Sequence, residues 1–145
     1  MENSTPIPRV IGVDYGQKRV GVAVSDLTGT LAGQAQTLTV RGMADAAAQV
    51  AAFAANFGAA VAVVGNPLNM DGSAGPAAQA CAVFADMLRD AAPGLEVVML
   101  DERLSTSLAH VYMNAADVTG KKRKQNVDAA AACIILQDWL DRRRC

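Results

Sequence analysis

Asp14 closes the apolar run RVIGV and is followed by Gly16, the basic pair Lys18 and Arg19, and a second apolar run, VGVAVS. An acidic side chain in that setting is either a turn former or one piece of a site. Glu102 stands in a comparable place, just beyond the apolar run LEVVML, and Asp128 lies near the start of a long alanine- and isoleucine-bearing stretch. Carboxylates gathered in one place repel one another unless something positive joins them. A hard divalent cation such as Mg²⁺ or Mn²⁺, which takes oxygen ligands, is the usual solution. The three acids form no local motif, so helix capping and solvation compete as roles for Asp128 and for Asp101.

Other reactive side chains lack partners. His110 is the only histidine, and element order brings no serine or cysteine near it, which favours a structural role. Cys81, Cys133 and Cys145 are odd in number and show no C-x-x-C spacing, so reduced thiols without a metal are expected. Asn69, Asp71 and Ser73 either line a cleft or form the turn before Pro76. Met87, Met99 and Met113 sit among apolar neighbours and read as core filler.

The elements that must position the acids are legible from periodicity and turn chemistry. Residues 9–14, 19–25 and 31–40 predict a three-stranded antiparallel meander, separated by YGQK and LTGT. Residues 44–58 carry Val50, Phe53 and Phe57 at helical spacing, and Gly58 falls where a helix ends. AVAVVGN, residues 60–66, predicts a buried strand. Pro76 suits the first turn of a helix to about residue 91, and residues 95–100 predict a fifth strand. Ser105 caps an expected helix through about 115, and a last helix is expected from Asn126, its N-cap, to the terminal arginines. That order implies an α/β fold with helices on both faces of a five-stranded mixed sheet. Strands 1, 4 and 5 run parallel and strand 2 antiparallel. Asp14 and Glu102 then reach the edge where parallel strands end, and Asp128, in the first turn of the last helix, can pack back across the sheet. Strand 2 ends at the opposite edge, so Asp26 is expected to be a turn residue.

Composition limits the alternatives. A chain of 145 residues predicts one domain, here residues 9–141, flanked by a tail at 1–8 and a basic end at 142–145. No stretch approaches the roughly 20 apolar residues that span a bilayer, and the first residues lack a secretory pattern, so a cytoplasmic protein without a membrane partner is expected. The net charge of −1 argues against an indiscriminate nucleic-acid binder. Yet 7 of the 13 Lys and Arg residues lie in KKRK, at 121–124, and RRR, at 142–144. Aromatic residues make up 4% of the chain, too few for a base-stacking platform.

Taken together, IGVDYGQKRVGVAVSD, VVGNPLNMDGS, DERLSTSLA and KRKQNVDAAAACIILQDWLD resemble the YqgF (RuvX-like) family, described as Holliday junction resolvases or pre-ribosomal RNA nucleases. The likeness covers residues 9–141 and implies an RNase H-like fold. It also implies a catalytic and metal-binding role for Asp14, Glu102 and Asp128, with one or two Mg²⁺ or Mn²⁺ ions. A further ligand is left open among Asp71, Asp101 and water. Products with 5′-phosphate and 3′-hydroxyl ends are implied as well. Lys18, Arg19, Arg103, Lys121, Lys122, Arg123 and Lys124 become candidate phosphate contacts on precursor 16S rRNA or branched DNA. A ribosomal subunit is an expected partner, and the chain acts as monomer or homodimer. Asn66 departs from the family pattern, which has a large apolar residue there. Two other readings compete: an ATPase built on the D-x-G hairpin, which needs a second domain beyond the one expected here, and a non-catalytic nucleic-acid adaptor in transcription or ribosome assembly.

Overall fold

The computed structural model describes residues 8–102 and 120–144. Strands β1 (Arg9–Asp14), β2 (Arg19–Ser25), β3 (Ala32–Thr39), β4 (Ala59–Asn66) and β5 (Glu96–Asp101) form one mixed sheet in the order β3-β2-β1-β4-β5. β1 pairs antiparallel with β2 and parallel with β4, and β4 pairs parallel with β5. The expected meander and parallel core are both present. The connections contain α1 (Met43–Asn56) and α2 (Pro76–Ala91), and α3 (Gly120–Arg144) follows the sheet. The helix expected at 105–115, with His110 and Met113, lies outside the described residues, as does Cys145.

Alternation along each strand divides the core into two layers. Ile11, Val13, Val22 and Val64 face α1 and α2, where they meet Val50, Phe53, Phe84 and Leu88. Val10, Ala23, Val63 and Leu100 face the other way, against Ala132, Ile135, Leu136 and Leu140 of α3. Each fully buried Leu or Ile of α3 contributes roughly 1.5–3 kcal/mol of transfer free energy, which binds this helix to the sheet. Gly58, in the left-handed region at φ 65°, follows α1 and donates its N–H to Ala55 O, as expected of a residue just past a helix end. Met87 and Met99 pack against the first layer.

Polar clasps fix the edges of the layers. Ser25, fully buried, accepts the Val10 N–H at 3.0 Å through Oγ. Gln137 reaches from α3 to accept the Ala32 N–H at 2.9 Å and donate to Thr30 O at 3.0 Å. Asp26 is the turn residue expected: its Oδ1 accepts from Thr28 Oγ1, Thr30 N and Leu31 N. These bonds, led by the one from Thr30, lower its pKa. At the basic end Arg142 and Arg143 are exposed, Arg143 lying 4.8 Å over the Trp139 ring and Arg142 donating to Asp138.

One boundary departs from expectation. α3 begins at Gly120, so Asn126 is inside the helix and is not its N-cap. Lys, Arg and Gln are strong helix formers, and nothing between Gly120 and Asn126 breaks the run. Two corrections follow. KKRK belongs to the first turns of a helix, not to a loop, and Asp128 lies well beyond the first turn, where the helix dipole no longer favours a carboxylate. No helix among the described residues is long and apolar enough to cross a membrane.

Candidate active site

Parallel pairing of β1, β4 and β5 brings their carboxyl ends to one edge, where Asp14 and Glu102 lie, with Asp128 near enough to act on Asp14 through its charge. Asp14 is the last residue of β1 and stands opposite Gly21 of β2. Alternation with Val10 and Gly12 turns it toward α3. Val13 pairs with Val64, so Gly65 extends β4 by one residue, as Asp14 extends β1. Asp101 pairs with Asn66, and Glu102 follows, its N–H donating to Asn66 O at 3.1 Å. Glu102 is 9% exposed.

Glycines let the acids approach the sheet. A Cβ at Gly65 would stand 2.6 Å from Glu102 Cδ and Oε2, so that carboxylate occupies the space a side chain would fill. A Cβ at Gly21 would overlap the backbone carbonyl of Asp128, which therefore rests on β2 beside Asp14. At Gly12 the same test meets Ala132 O at 2.6 Å and Leu136 Cβ at 2.7 Å. A glycine inside a strand signals close backbone approach, and this signal was available in VGVAV. What approaches was not.

Electrostatics reflect the gathering. Asp14 is raised from its ordinary 3.8 to about 7, first by burial, then by Glu102 and Asp128. Burial also raises Glu102, with Asp101 adding to it. Asp128 is raised by burial, against which Arg19 works as hydrogen-bond donor and as charge. Arg19 Nε lies 3.2 Å from Asp128 Oδ2. The repulsion therefore falls mainly on Asp14. Cys81, on α2 and buried, is pushed up to about 12 by burial, then by Glu102 and Asp14, so its thiol stays protonated.

The donor set suits a hard cation: carboxylate oxygens only, with glycine cradles beneath them. At the end of β4, Asn66 Oδ1 is buried and has no hydrogen-bond partner among the described residues. Among the described residues, however, no three His, Cys, Asp or Glu side chains stand close enough together to hold one ion as they are. Asp128 is turned to Arg19 instead.

The remaining expected site residues divide. Lys18 is exposed on the hairpin between β1 and β2. In that hairpin a Cβ at Gly16 would collide with the Arg19 carbonyl. Arg103 and the side chains of Lys121, Lys122, Arg123 and Lys124 lie outside the described residues. Asn69, Asp71 and Ser73 form a turn: Ser73 N and Oγ both donate to Asp71 Oδ1, and Asn69 Nδ2 donates to Ser73 Oγ. A groove of about 360 Å³ between β3 and α1 is lined by Gln34, Ala35, Gln36, Phe53 and Phe57, and none of the three acids borders it.

Known proteins resemble this chain along most of its length. The model of the RuvX family, described as Holliday junction resolvase, matches residues 8–142. A protein of Anaeromyxobacter dehalogenans, named provisionally as a pre-16S rRNA nuclease, is 44% identical over 93% of this chain and 98% of its own length. A Bacillus cereus protein of the same name is 43% identical over 93% and 99%. Among solved structures, Thermus thermophilus RuvC in complex with a Holliday junction substrate superposes with a TM-score of 0.64 at 14% identity, covering 95% of this chain and 96% of that one. The fowlpox virus resolvase, also bound to Holliday junction DNA, gives 0.57 at 10% identity, covering 93% and 98%. The RNase H-like architecture expected from the sequence is the one found.

Proposed function

This chain belongs to the RuvX family, and from that premise we propose that it is a metal-dependent nuclease acting on structured nucleic acid, with Asp14, Glu102 and Asp128 as its catalytic carboxylates. The observation that carries the proposal is the placement of Asp14 and Glu102 on one sheet edge with Asp128 close by, Asp14 being raised to about 7 by its enclosure and its neighbours. Perturbed acids collected at a strand edge are the pattern of a functional site more often than of a structural one.

Mg²⁺ or Mn²⁺, as one or two ions, is the cofactor that oxygen donors of this kind favour. When bound, it supplies stabilisation of the charge that builds on phosphate oxygens during phosphodiester hydrolysis. The chain's own residues do the rest. Asp14 and Glu102 approach from strand ends that the sheet holds rigid, and Asp128 comes from a helix seated on Gly21. Lys18, Arg103 and the KKRK turn supply positive charge for backbone phosphates, a contact that orients nucleic acid without reading its sequence.

The names of the relatives favour the 5′ end of precursor 16S rRNA as substrate, with a ribosomal subunit precursor as partner. The family description favours a second reading, branched DNA. Purified protein with Mn²⁺ should cleave labelled precursor 16S rRNA, and Asp14→Asn, Glu102→Gln and Asp128→Asn should each reduce the rate by at least about a hundredfold while binding survives. Cleavage of four-way junctions alone would establish the second reading. Binding to either nucleic acid with no cleavage by wild type would leave a non-catalytic adaptor.

A further inference from the structure

Arg19 was expected to meet phosphate, yet its guanidinium contacts Asp128 at 3.2 Å. The two residues are 109 positions apart in sequence and come from the first hairpin and the last helix. The pair sits at the site's rim, with Arg19 37% and Asp128 23% exposed, so neither charge is locked in the interior. Only Nε is engaged; among the described residues, the Nη groups of Arg19 have no hydrogen-bond partner. A planar guanidinium with free Nη groups at a carboxylate edge is suited to bidentate contact with phosphate.

We propose that Arg19 is a cationic placeholder that holds Asp128 in the metal-free protein and passes to a backbone phosphate when Asp128 turns to a divalent cation. The inference rests on the carboxylate metal site proposed above. Three features carry it. Arg19 stands against Asp128, so the charge of that carboxylate is compensated without metal. A guanidinium and a divalent cation at one carboxylate repel each other, which makes the two competitors. Arg19 occupies the same strand end as Asp14, so a guanidinium released from Asp128 stays at the edge where a phosphate must lie. Metal and nucleic acid are then coupled through one side chain, and the coupling must be reciprocal.

The test uses Arg19→Gln, with Arg19→Lys as a second variant that keeps the charge and loses the planar fork. Melting of each variant checks folding, which an exposed side chain should not compromise. Mn²⁺ alone, titrated by calorimetry, should bind Arg19→Gln about two- to fivefold more tightly than wild type, the range for losing a partly exposed competing ion pair. Binding of a fluorescent double-stranded oligonucleotide is then followed against salt, without metal and with Ca²⁺. Without metal, Arg19→Gln and wild type should share one salt slope. With Ca²⁺, the wild-type slope should be steeper than that of the variant by about 0.9, one phosphate contact. Arg19→Lys should bind Mn²⁺ as wild type does and regain part of the steeper slope.

A slope difference already present without metal would overturn the proposal, because Arg19 would then be a permanent phosphate contact. Equal Mn²⁺ affinity in wild type and Arg19→Gln, with Asp14→Asn abolishing binding in both, would also overturn it while leaving the metal site intact. No Mn²⁺ binding in any of the proteins would remove the metal site and the placeholder together.

Discussion

Replacing Asp14 with asparagine should stabilise the metal-free protein, and the gain should depend on pH in a defined direction. Folding moves this carboxyl from 3.8 to about 7. Below pH 3 it is nearly all neutral in both folded and unfolded chains and costs almost nothing. Between pH 3 and 7 the unfolded chain releases the proton and the folded chain keeps it, so stability falls as pH rises. The full cost above pH 7 is about 4 kcal/mol, reduced to about 2–3 kcal/mol because the sheet edge is partly open to solvent. An amide in this position carries no such cost. Urea unfolding of both proteins in chelator should therefore give nearly equal stabilities near pH 3 and a gap of about 2–3 kcal/mol near pH 8, with the variant more stable. Adding Mn²⁺ at pH 8 should close the gap from the wild-type side only. Parallel stability curves from pH 3 to 8 would refute the claim that enclosure and neighbouring acids raise Asp14.

Three further outcomes are expected. Gly21→Ala should cost about 1–3 kcal/mol, the usual range for overpacking, and should reduce cleavage more than Gly33→Ala, because only the Gly21 Cβ pushes on the backbone of Asp128; chemical denaturation and a cleavage assay check it. Ser25→Ala should cost about 1–3 kcal/mol by leaving the buried Val10 N–H unpaired, measured by the same denaturation, with cleavage unchanged. Alanine at Lys121, Lys122, Arg123 and Lys124 together should weaken binding to unrelated sequences alike and flatten the salt dependence by up to about 0.9 per lost phosphate contact, read by fluorescence titration.

Much of the architecture was legible because it rests on local signals. Apolar runs marked β1, β2, β4 and β5, turn chemistry marked the more polar β3, and a parallel core alone implied that Asp14 and Glu102 share one edge. The start of α3 was not legible for a local reason too. Asn126 has the chemistry of a cap, but helix formers stand on both sides of it, and the packing of Ala132 through Leu140 on the sheet holds the helix through that point. The Arg19–Asp128 contact joins residues from the two ends of the chain, so no spacing rule reaches it. Asn66 was visible as a departure from the family pattern, whereas the enclosure of its Oδ1 depends on neighbours that only the folded chain supplies.

The seating of Asp128 on Gly21 has a consequence for the protein's synthesis. Asp14 leaves the ribosome early, Glu102 much later, and Asp128 later still, on a helix that finds its place only against a completed sheet. A growing chain therefore lacks at least one of the three acids for most of its manufacture and has no surface on which to set the last. Under the function proposed here, a nuclease born on the machine whose RNA precursor it processes stays unarmed until its own translation has passed Asp128 and α3 has docked.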